Sequence, residues 1–176
     1  MYYVIQVKTG KENKTIEAIK EQLKDKEGFD IFAPYRKVLK KYKGGVIKEV
    51  IERCFPGYLF VETDSPKDLF FDLYWVPGYT RLLGREGLTY NFAPLSKDEA
   101  RMIDILYSAN TDRITEISDI EVREGQIVRV LSGPLEGLLT QVKSVNLHKR
   151  TVTVEFMLCG RLVEAKVGIN IITDIV

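Results

Sequence analysis

The chain has 176 residues, of which 45% are hydrophobic, so it can bury one or two ordinary cores and is not a disordered tail. Its 26 lysines and arginines nearly cancel its 25 aspartates and glutamates, which excludes a bulk nucleic-acid binder with a positive field over its whole surface. The two cysteines are far apart and no apolar run can span a bilayer, so we expect a cytoplasmic protein without disulfides or membrane contact.

The first 107 residues predict short strands alternating with helices. A β-branched and aromatic run from Tyr2 to Val7 predicts the first strand. Helix starts are predicted by two capping boxes and by a serine-proline pair, at Thr9 with Glu12, at Ser96 with Glu99, and at Ser65-Pro66. Further strands are predicted over residues 29–39, 46–54, 57–61 and 79–83.

The strands predicted over residues 29–39 and 46–54 would form a hairpin joined by Gly44-Gly45, a pair that tolerates the positive φ of a tight turn. No acidic residue occurs between positions 31 and 48, so this hairpin is locally basic. Its cations attract phosphate groups without reading base sequence, although lysines on a strand edge often serve only to keep the edge soluble. The candidate contact residues are Arg36, Lys37, Lys40, Lys41 and Lys43.

The periodic pattern is lost over residues 108–118, which are rich in Asn, Thr, Asp and Ser and predict a flexible linker. Residues 1–107 would then form an α+β domain, an antiparallel sheet flanked by helices. Residues 119–176 contain short β-rich runs separated by turn signals and predict a small all-β barrel. Its strands are expected over residues 126–131, 138–145, 151–158 and 162–167.

No set of residues in the sequence points to catalysis, to a metal or to a cofactor. His148 is the only histidine, so a metal site of several histidines is excluded, and a surface loop is its expected place. The acidic residues fall on predicted helix faces and turns, and no phosphate-binding glycine loop or Ser-His-Asp order is present. We therefore expect a protein that is not an enzyme.

Three stretches with similar spacing between them resemble the NusG family of transcription elongation factors, over nearly the whole chain. They are the aromatic first strand at residues 2–6, the Phe-Pro-Gly-Tyr strand at 55–61, and residues 125–137, which are similar to the KOW motif. The resemblance implies an NGN domain that binds RNA polymerase, followed by an SH3-like KOW barrel that binds RNA or another partner. It also implies a monomer that acts as a tether on the polymerase.

The resemblance implies a docking patch for the clamp helices of the largest polymerase subunit. The matching residues are Gln6, Tyr58, Phe60 and Leu82. Period-two alternation places Tyr58 and Phe60 on the same face of one strand. An exposed apolar patch of this kind suits an amphipathic helical partner. The alternative is that both aromatic residues are simply core.

The resemblance further implies contact with nucleic acid at two places. The basic hairpin would contact DNA near the upstream fork through its phosphates. The barrel has more basic than acidic residues in its second half and would contact structured nascent RNA. The candidate RNA-binding residues are Lys143, His148, Lys149, Arg150, Arg161 and Lys166. The alternative is that these are solvated charges on a domain whose partner is a protein.

The barrel departs from the general family pattern at the positions that bind partners. Cys159 stands before Gly160-Arg161 where the family usually has an aromatic residue that helps bind a ribosomal protein and the termination factor Rho. Residues 162–164 and Thr140 also differ from the usual pattern. These departures indicate a specialised paralog. Among specialised members, the short N-terminus and the mildly basic barrel are most similar to LoaP, an antiterminator that reads a nascent RNA hairpin, with the DNA-reading RfaH as the rival. A housekeeping NusG that couples polymerase to the ribosome or to Rho, and a KOW protein unrelated to polymerase, are the remaining candidates.

Overall fold

The structure is a computed structural model that describes residues 1–82, 93–107, 112–123 and 126–172. The chain is a mixed α/β protein that divides into two compact units. The first unit comprises Met1–Pro34, Phe55–Ala100 and Met157–Arg161, and the second comprises Tyr35–Cys54, Arg101–Phe156 and Leu162–Val176. The domain boundaries proposed from the sequence, at residues 107 and 119, stay a prediction.

The secondary-structure elements comprise strands, α-helices and a 3-10 helix. In chain order they are β1 (Tyr2–Val7), α1 (Glu12–Gln22), β2 (Phe29–Phe32), β3 (Tyr35–Lys41), β4 (Ile47–Arg53), β5 (Tyr58–Thr63), α2 (Pro66–Leu73), β6 (Tyr79–Leu82), α3 (Lys97–Tyr107), β7 (Ile114–Thr115), β8 (Ser118–Arg123), β9 (Gln126–Ser132), the 3-10 helix (Pro134–Gln141), β10 (Val142–Asn146), β11 (Thr151–Leu158) and β12 (Arg161–Ile172). Three sequence predictions include residues outside the described ranges. These residues are Leu83 of a predicted strand, residues 108–111 of the predicted linker and Gly125 of the predicted KOW motif. Within the described ranges, no helix is both long enough and apolar enough to cross a membrane.

The first unit contains a four-stranded sheet in the order β2-β5-β1-β6. All of its strand pairs are antiparallel, as the sequence predicted. Tyr3, Ile5 and Val7 alternate along β1 and are buried on one face of the sheet. Ile19 of α1, which the helical pattern placed on an apolar face, is also fully buried. The core of this unit therefore follows the predicted periodicity.

Helix α1 begins without the predicted capping box. Lys11 occupies the position before the helix and makes no side-chain capping hydrogen bond. Glu12 is fully buried, and its Oε1 accepts a hydrogen bond from the backbone N–H of Gly57 at 2.9 Å. The capping box predicted at Thr9 is therefore wrong, because a tertiary hydrogen bond to the loop before β5 takes the carboxylate.

The second predicted capping box is confirmed at the start of α3. The backbone N–H of Ser96 donates to Glu99 Oε2 at 2.7 Å, and the N–H of Glu99 donates to Ser96 Oγ at 3.3 Å. The other carboxylate oxygen of Glu99 accepts from the backbone N–H of Cys159 at 2.8 Å. One buried glutamate thus caps a helix and anchors the turn between β11 and β12.

The single strand predicted over residues 29–39 is wrong, because two strands of different sheets occupy that stretch. β2 pairs with β5 in the first unit, whereas β3 pairs with β4 and β7 in the second. Pro34 lies between β2 and β3, has no backbone N–H to donate, and restricts the conformation of Ala33. The predicted antiparallel hairpin is confirmed as the pair β3–β4.

The second unit contains a three-stranded sheet, β4-β3-β7, and a five-stranded sheet, β10-β11-β12-β8-β9. The strand predicted over residues 151–158 is confirmed as β11, whose alternate side chains Val152, Val154, Phe156 and Leu158 are buried. β12 runs parallel to β8, with Ile169 opposite Ser118. β7, which lies inside the predicted linker, pairs in parallel with Tyr35 and Arg36 of β3. A C-terminal β domain is therefore present.

A 3-10 helix replaces the first part of the strand predicted over residues 138–145. Gly133 precedes it with φ +92°, and Pro134 occupies its start. Leu135 and Leu138 are fully buried, a spacing of three residues that matches the 3-10 repeat. The sequence prediction was wrong here because a short apolar run does not distinguish a strand from a helical turn.

Gly168 of β12 lies directly against the backbone of β3. A Cβ added at Gly168 would overlap the carbonyl oxygen of Lys37 and stand 3.2 Å from Val38 Cα. The side chain of Val38 is buried. The absence of a side chain at Gly168 therefore permits the hairpin β3–β4 to pack closely on the five-stranded sheet.

Candidate docking face and nucleic-acid interface

Gln6 and Tyr58 lie side by side on the sheet of the first unit. They are directly opposite each other in the antiparallel pair β1–β5, and both side chains are partly exposed. Leu82 is opposite Ile5 in the backbone pairing of β1 with β6, and its side chain lies outside the described part of the structure. Gln6 and Tyr58 are thus the two predicted docking residues that the structure brings together on an accessible surface.

Phe60 is a core residue and not part of an exposed patch. Its side chain is 0% exposed, and its ring centroid lies 5.8 Å from that of Phe32 and 5.7 Å from that of Phe55. Offset and tilted aromatic pairs at these separations stabilise a core. The sequence placed Phe60 on the docking surface because it shares a face with Tyr58, and this residue assignment is corrected by its burial.

Glu52 holds two of the predicted cations of the hairpin. Arg36 Nη2 donates to Glu52 Oε2 at 3.0 Å, and Lys40 Nζ lies 2.5 Å from Glu52 Oε1. The hydrogen bond from Lys40, helped by that from Arg36, holds the pKa of the Glu52 carboxyl below its ordinary value of 4.5. Part of the positive charge of the hairpin is therefore offset by its own carboxylate.

Lys37 is also held by acidic side chains. Its Nζ lies 2.9 Å from Glu116 Oε2 and 3.7 Å from Glu49 Oε1. The hydrogen bond to Glu116 raises the pKa of Lys37, so the lysine remains charged but its charge is shared. Lys41 and Lys43 are exposed and form no ion pair within the described ranges. Of the five predicted hairpin cations, these two are the most accessible to a phosphate.

We expect replacement of Glu52 by glutamine to lower the free energy of unfolding near pH 7 by roughly 1 kcal/mol or less, as for partly exposed ion pairs. Because the folded-state pKa of Glu52 is depressed, its stabilising contribution is present above pH 4.5 and is lost as the pH falls through the lower folded-state value. Urea unfolding of both proteins from pH 7 to pH 3 should show the difference vanish. Glu17→Gln, an exposed position on α1, is the control, and a pH-independent difference at Glu52 would contradict the assignment.

The ammonium group of Lys143 forms ion pairs with two carboxylates. Its Nζ lies 2.6 Å from both Glu155 Oε2 and Glu164 Oε1. These hydrogen bonds raise the pKa of Lys143 well above its ordinary value. The structure therefore gives this predicted RNA-binding lysine a local partner, and it contributes little net positive charge to a phosphate site.

The turn between β10 and β11 holds three of the predicted RNA-binding residues. His148 and Lys149 are exposed, and the backbone N–H of Lys149 donates to Asn146 Oδ1 at 2.8 Å. Arg150 has φ +51°, a left-handed conformation that non-glycine residues seldom adopt. Its carbonyl accepts from the N–H of Ile169 at 3.0 Å. The backbone of this turn is thus fixed, while the side chains of His148 and Lys149 face solvent.

A groove of about 470 Å³ within the second unit brings the two predicted nucleic-acid sets together. From the hairpin it is lined by Arg36, Lys40 and Lys41, and from the C-terminal β domain by His148, Lys149 and Lys166. Lys43, Lys143 and Arg150 are not among its lining residues, and Arg161 belongs to the first unit. The sequence predicted the two sets as separate sites, whereas the fold places three of the five hairpin residues and three of the six C-terminal residues around one opening; Lys37 also lies outside the lining.

The four-stranded first sheet belongs to a stretch of the chain that matches a known protein family. The family model described as transcription termination factor NusG matches residues 1–104. The chain belongs to the NusG family. Its members are transcription factors, and relatives of this chain are named as transcription termination/antitermination proteins.

Two NusG relatives and one solved NusG structure show how far the likeness extends. The NusG of Thermus thermophilus is 27% identical over 169 residues, covering 91% of this chain and 90% of that protein. The NusG of Lactococcus lactis is 30% identical over 131 residues, covering 74% of this chain and 68% of that protein. A solved structure titled "Domain interaction in Thermotoga maritima NusG" has a TM-score of 0.55 and 20% identity, and covers 95% of this chain and 92% of that chain. The last likeness concerns the fold.

Sequence reasoning missed the acidic residue that most affects the site of this NusG-family chain. The basic hairpin was defined by the absence of acids before position 48, and Glu52 lies just beyond that limit. Pairing of the two strands places Glu52 directly opposite Arg36. The strand register was the signal that could have found it, since cross-strand neighbours of opposite charge attract each other.

A second feature missed from the sequence is an exposed aromatic cluster at the end of α2. Phe71, Tyr74 and Trp75 are each more than 60% exposed. Tyr74 and Trp75 form an edge-to-face pair with ring centroids 5.3 Å apart. Exposed aromatics of this size are uncommon on a surface, and the run of aromatic letters at positions 70–75 was the available signal.

Proposed function

We propose that this NusG-family chain binds RNA polymerase as a monomer and promotes processive antitermination after recruitment by a nascent RNA hairpin, as a LoaP-like paralog. The observation that carries the proposal is the cluster of cations around the groove of the second unit, which favours a nucleic-acid ligand. The matched relatives are named for termination and antitermination, which agrees with a role in transcription.

Polymerase binding is assigned to the first unit through Gln6, Tyr58 and Leu82, against the clamp helices of the largest subunit. The side-by-side placement of Gln6 and Tyr58 supports this choice, because a partly exposed aromatic beside a polar residue is typical of an interface anchor. Phe60 would support the surface from within the core.

The experiment that tests the proposal is transcription by purified polymerase through an intrinsic terminator placed behind the leader RNA of the chain's own operon. We propose that the chain raises readthrough only when that leader is present. Readthrough that is independent of the leader would contradict RNA recruitment, and no change in readthrough would contradict antitermination.

Tyr58→Ala is expected to weaken polymerase binding by at least about 30-fold, since an aromatic anchor at an interface contributes roughly 2 kcal/mol or more. Affinity for purified polymerase is the measurement, with circular dichroism to confirm that the fold is intact. Tyr74→Ala is the matched control, because Tyr74 is an exposed tyrosine of the same unit at the end of α2, whereas the proposed docking residues lie on β1, β5 and β6. An equal loss of polymerase affinity in the two variants would contradict the assignment of Tyr58 to the polymerase-binding surface.

A housekeeping role, coupling polymerase to the ribosome or to Rho, is the second candidate. Cys159 occupies the position where the family usually has the contact aromatic, and it is only 4% exposed. Its backbone N–H is bonded to Glu99. These observations favour the specialised role, and a pull-down with Rho and the small-subunit ribosomal protein separates the two.

A further inference from the structure

We propose that the hairpin β3–β4 and the turn between β10 and β11 form one binding site, a basic groove that holds the phosphodiester backbone of a single strand of nucleic acid. The inference rests on the proposed function, and it adds that one strand is held from both sides. It replaces two separate contacts, DNA on the hairpin and RNA on the barrel, with one shared groove.

The groove lining carries a concentrated positive charge. Five cations contribute, namely Arg36, Lys40, Lys41, Lys149 and Lys166, while Glu52 is the one carboxylate of the lining, so five minus one leaves a net charge of +4 with His148 neutral. The chain as a whole has a net charge of only +1. The positive potential is therefore concentrated at this opening, where it attracts phosphates.

Several of these cations are accessible to a phosphate. Lys41, Lys149 and Lys166 are exposed and form no ion pair within the described part of the chain. The other two, Arg36 and Lys40, are held by Glu52 and line the same groove. Lys41 lies on the hairpin side and Lys149 on the barrel side, so a bound strand would be contacted from both.

Both sides of the groove are held in place. The hairpin is fixed at Gly168, where its backbone approaches β12 too closely for any side chain. The barrel turn is fixed by hydrogen bonds at Asn146 and at Arg150, and Arg150 keeps its left-handed backbone. A left-handed non-glycine residue is an unfavourable conformation that is often retained where a site needs it.

The size of the groove and an exposed aromatic ring of the hairpin both suit a single strand. A volume of about 470 Å³ lies in the range of small-ligand sites and suits one or two nucleotides. Tyr42, at the tip of the hairpin, is 49% exposed, and Lys48 Nζ lies 5.9 Å from its ring centroid. Tyr42 follows the groove residue Lys41 in sequence, and a charged groove combined with exposed aromatic rings is the arrangement by which proteins bind single strands without sequence preference.

The test is binding of the full chain to three labelled probes, measured by fluorescence anisotropy. The probes are a single-stranded RNA, the DNA of the same sequence and a blunt RNA duplex. Each is about 12 nucleotides long, which is within the site sizes of single-strand binders. Lys41→Ala and Lys149→Ala should each weaken single-strand binding about fivefold at about 0.1 M salt, and each should reduce the salt slope by about 0.7. Glu52→Gln should tighten binding about fivefold, because it frees Arg36 and Lys40. The matched control is Lys20→Ala, an exposed lysine on α1, which should bind as the wild type does.

The outcomes separate this inference from the proposed function. If Lys149→Ala weakens binding but Lys41→Ala behaves as Lys20→Ala does, the shared groove is wrong, while recognition of RNA by the barrel stands. If wild type binds none of the probes and no leader RNA, both are wrong. Tighter binding of the duplex than of either single strand also overturns the groove. Equal binding of RNA and DNA supports backbone recognition alone, and tighter RNA binding adds contact with the 2′-hydroxyl.

Discussion

Replacement of Phe60 by alanine is expected to lower the free energy of unfolding by about 3–5 kcal/mol, the usual cost of emptying a buried aromatic position. The residue is 0% exposed and contacts two other aromatic rings, so its removal leaves a cavity that the sheet cannot easily fill. Urea unfolding followed by circular dichroism measures the loss. Such a loss is a large part of the stability of an ordinary domain.

The comparison with Tyr58→Ala shows whether Phe60 acts in the core or at the polymerase surface. Tyr58 is partly exposed, so its replacement should cost much less stability while it weakens polymerase binding. Phe60→Leu keeps most of the apolar volume and should preserve both stability and binding. A stable Phe60→Ala variant that fails to bind polymerase would instead place Phe60 at the interface.

Replacement of Gly168 by alanine is expected to destabilise the second unit by at least about 1–3 kcal/mol, as overpacking of a close contact does. The new Cβ would overlap the Lys37 carbonyl oxygen, and this atom belongs to a strand backbone and cannot rotate away as a side chain can. Denaturant unfolding measures the change, and binding to the single-stranded RNA probe at a temperature where the variant is folded reports on the groove.

Gly160→Ala is the matched control for this substitution. Gly160 has φ +74° and open space around it. Alanine at this position should therefore lower the free energy of unfolding only through its unfavourable backbone conformation, by about 1 kcal/mol. Gly168 has no positive φ, so any cost there is steric. If Gly168→Ala is no more destabilising than Gly160→Ala and leaves RNA binding unchanged, the close packing of the hairpin on β12 is not needed for the groove.

Local sequence patterns predicted those parts of the fold that depend on near neighbours. The strand β11 was found because Thr151-Val152-Thr153-Val154 combines β-branched residues with alternating burial. The capping box at Ser96 and the proline start of α2 were found because their partners lie within three residues. By contrast, the same capping pattern at Thr9 failed, since Glu12 bonds to Gly57, far away in sequence.

The sequence predicted which residues belong to the candidate site but not how those residues are arranged in space. The turn of the hairpin includes Lys43 as well as Gly44-Gly45, and Tyr42 bonds through its N–H to the carbonyl of Val46 at 2.8 Å. A two-residue turn at the glycine pair would have shifted the register by one residue, so Glu52 would have faced a different cation. No local pattern shows that Lys41 and Lys149 line the same groove, because their proximity arises from packing between distant strands.

The pairing of β3 with β7 also affects the order in which the chain is assembled during synthesis. Tyr35 and Arg36 are made early, but their parallel partners Ile114 and Thr115 follow only after most of the first unit has been translated. Until then one edge of β3 has no strand beside it, and contacts between residues so far apart form slowly because a long loop must close. The hairpin that supplies Arg36, Lys40 and Lys41 thus reaches its final position only late in biosynthesis.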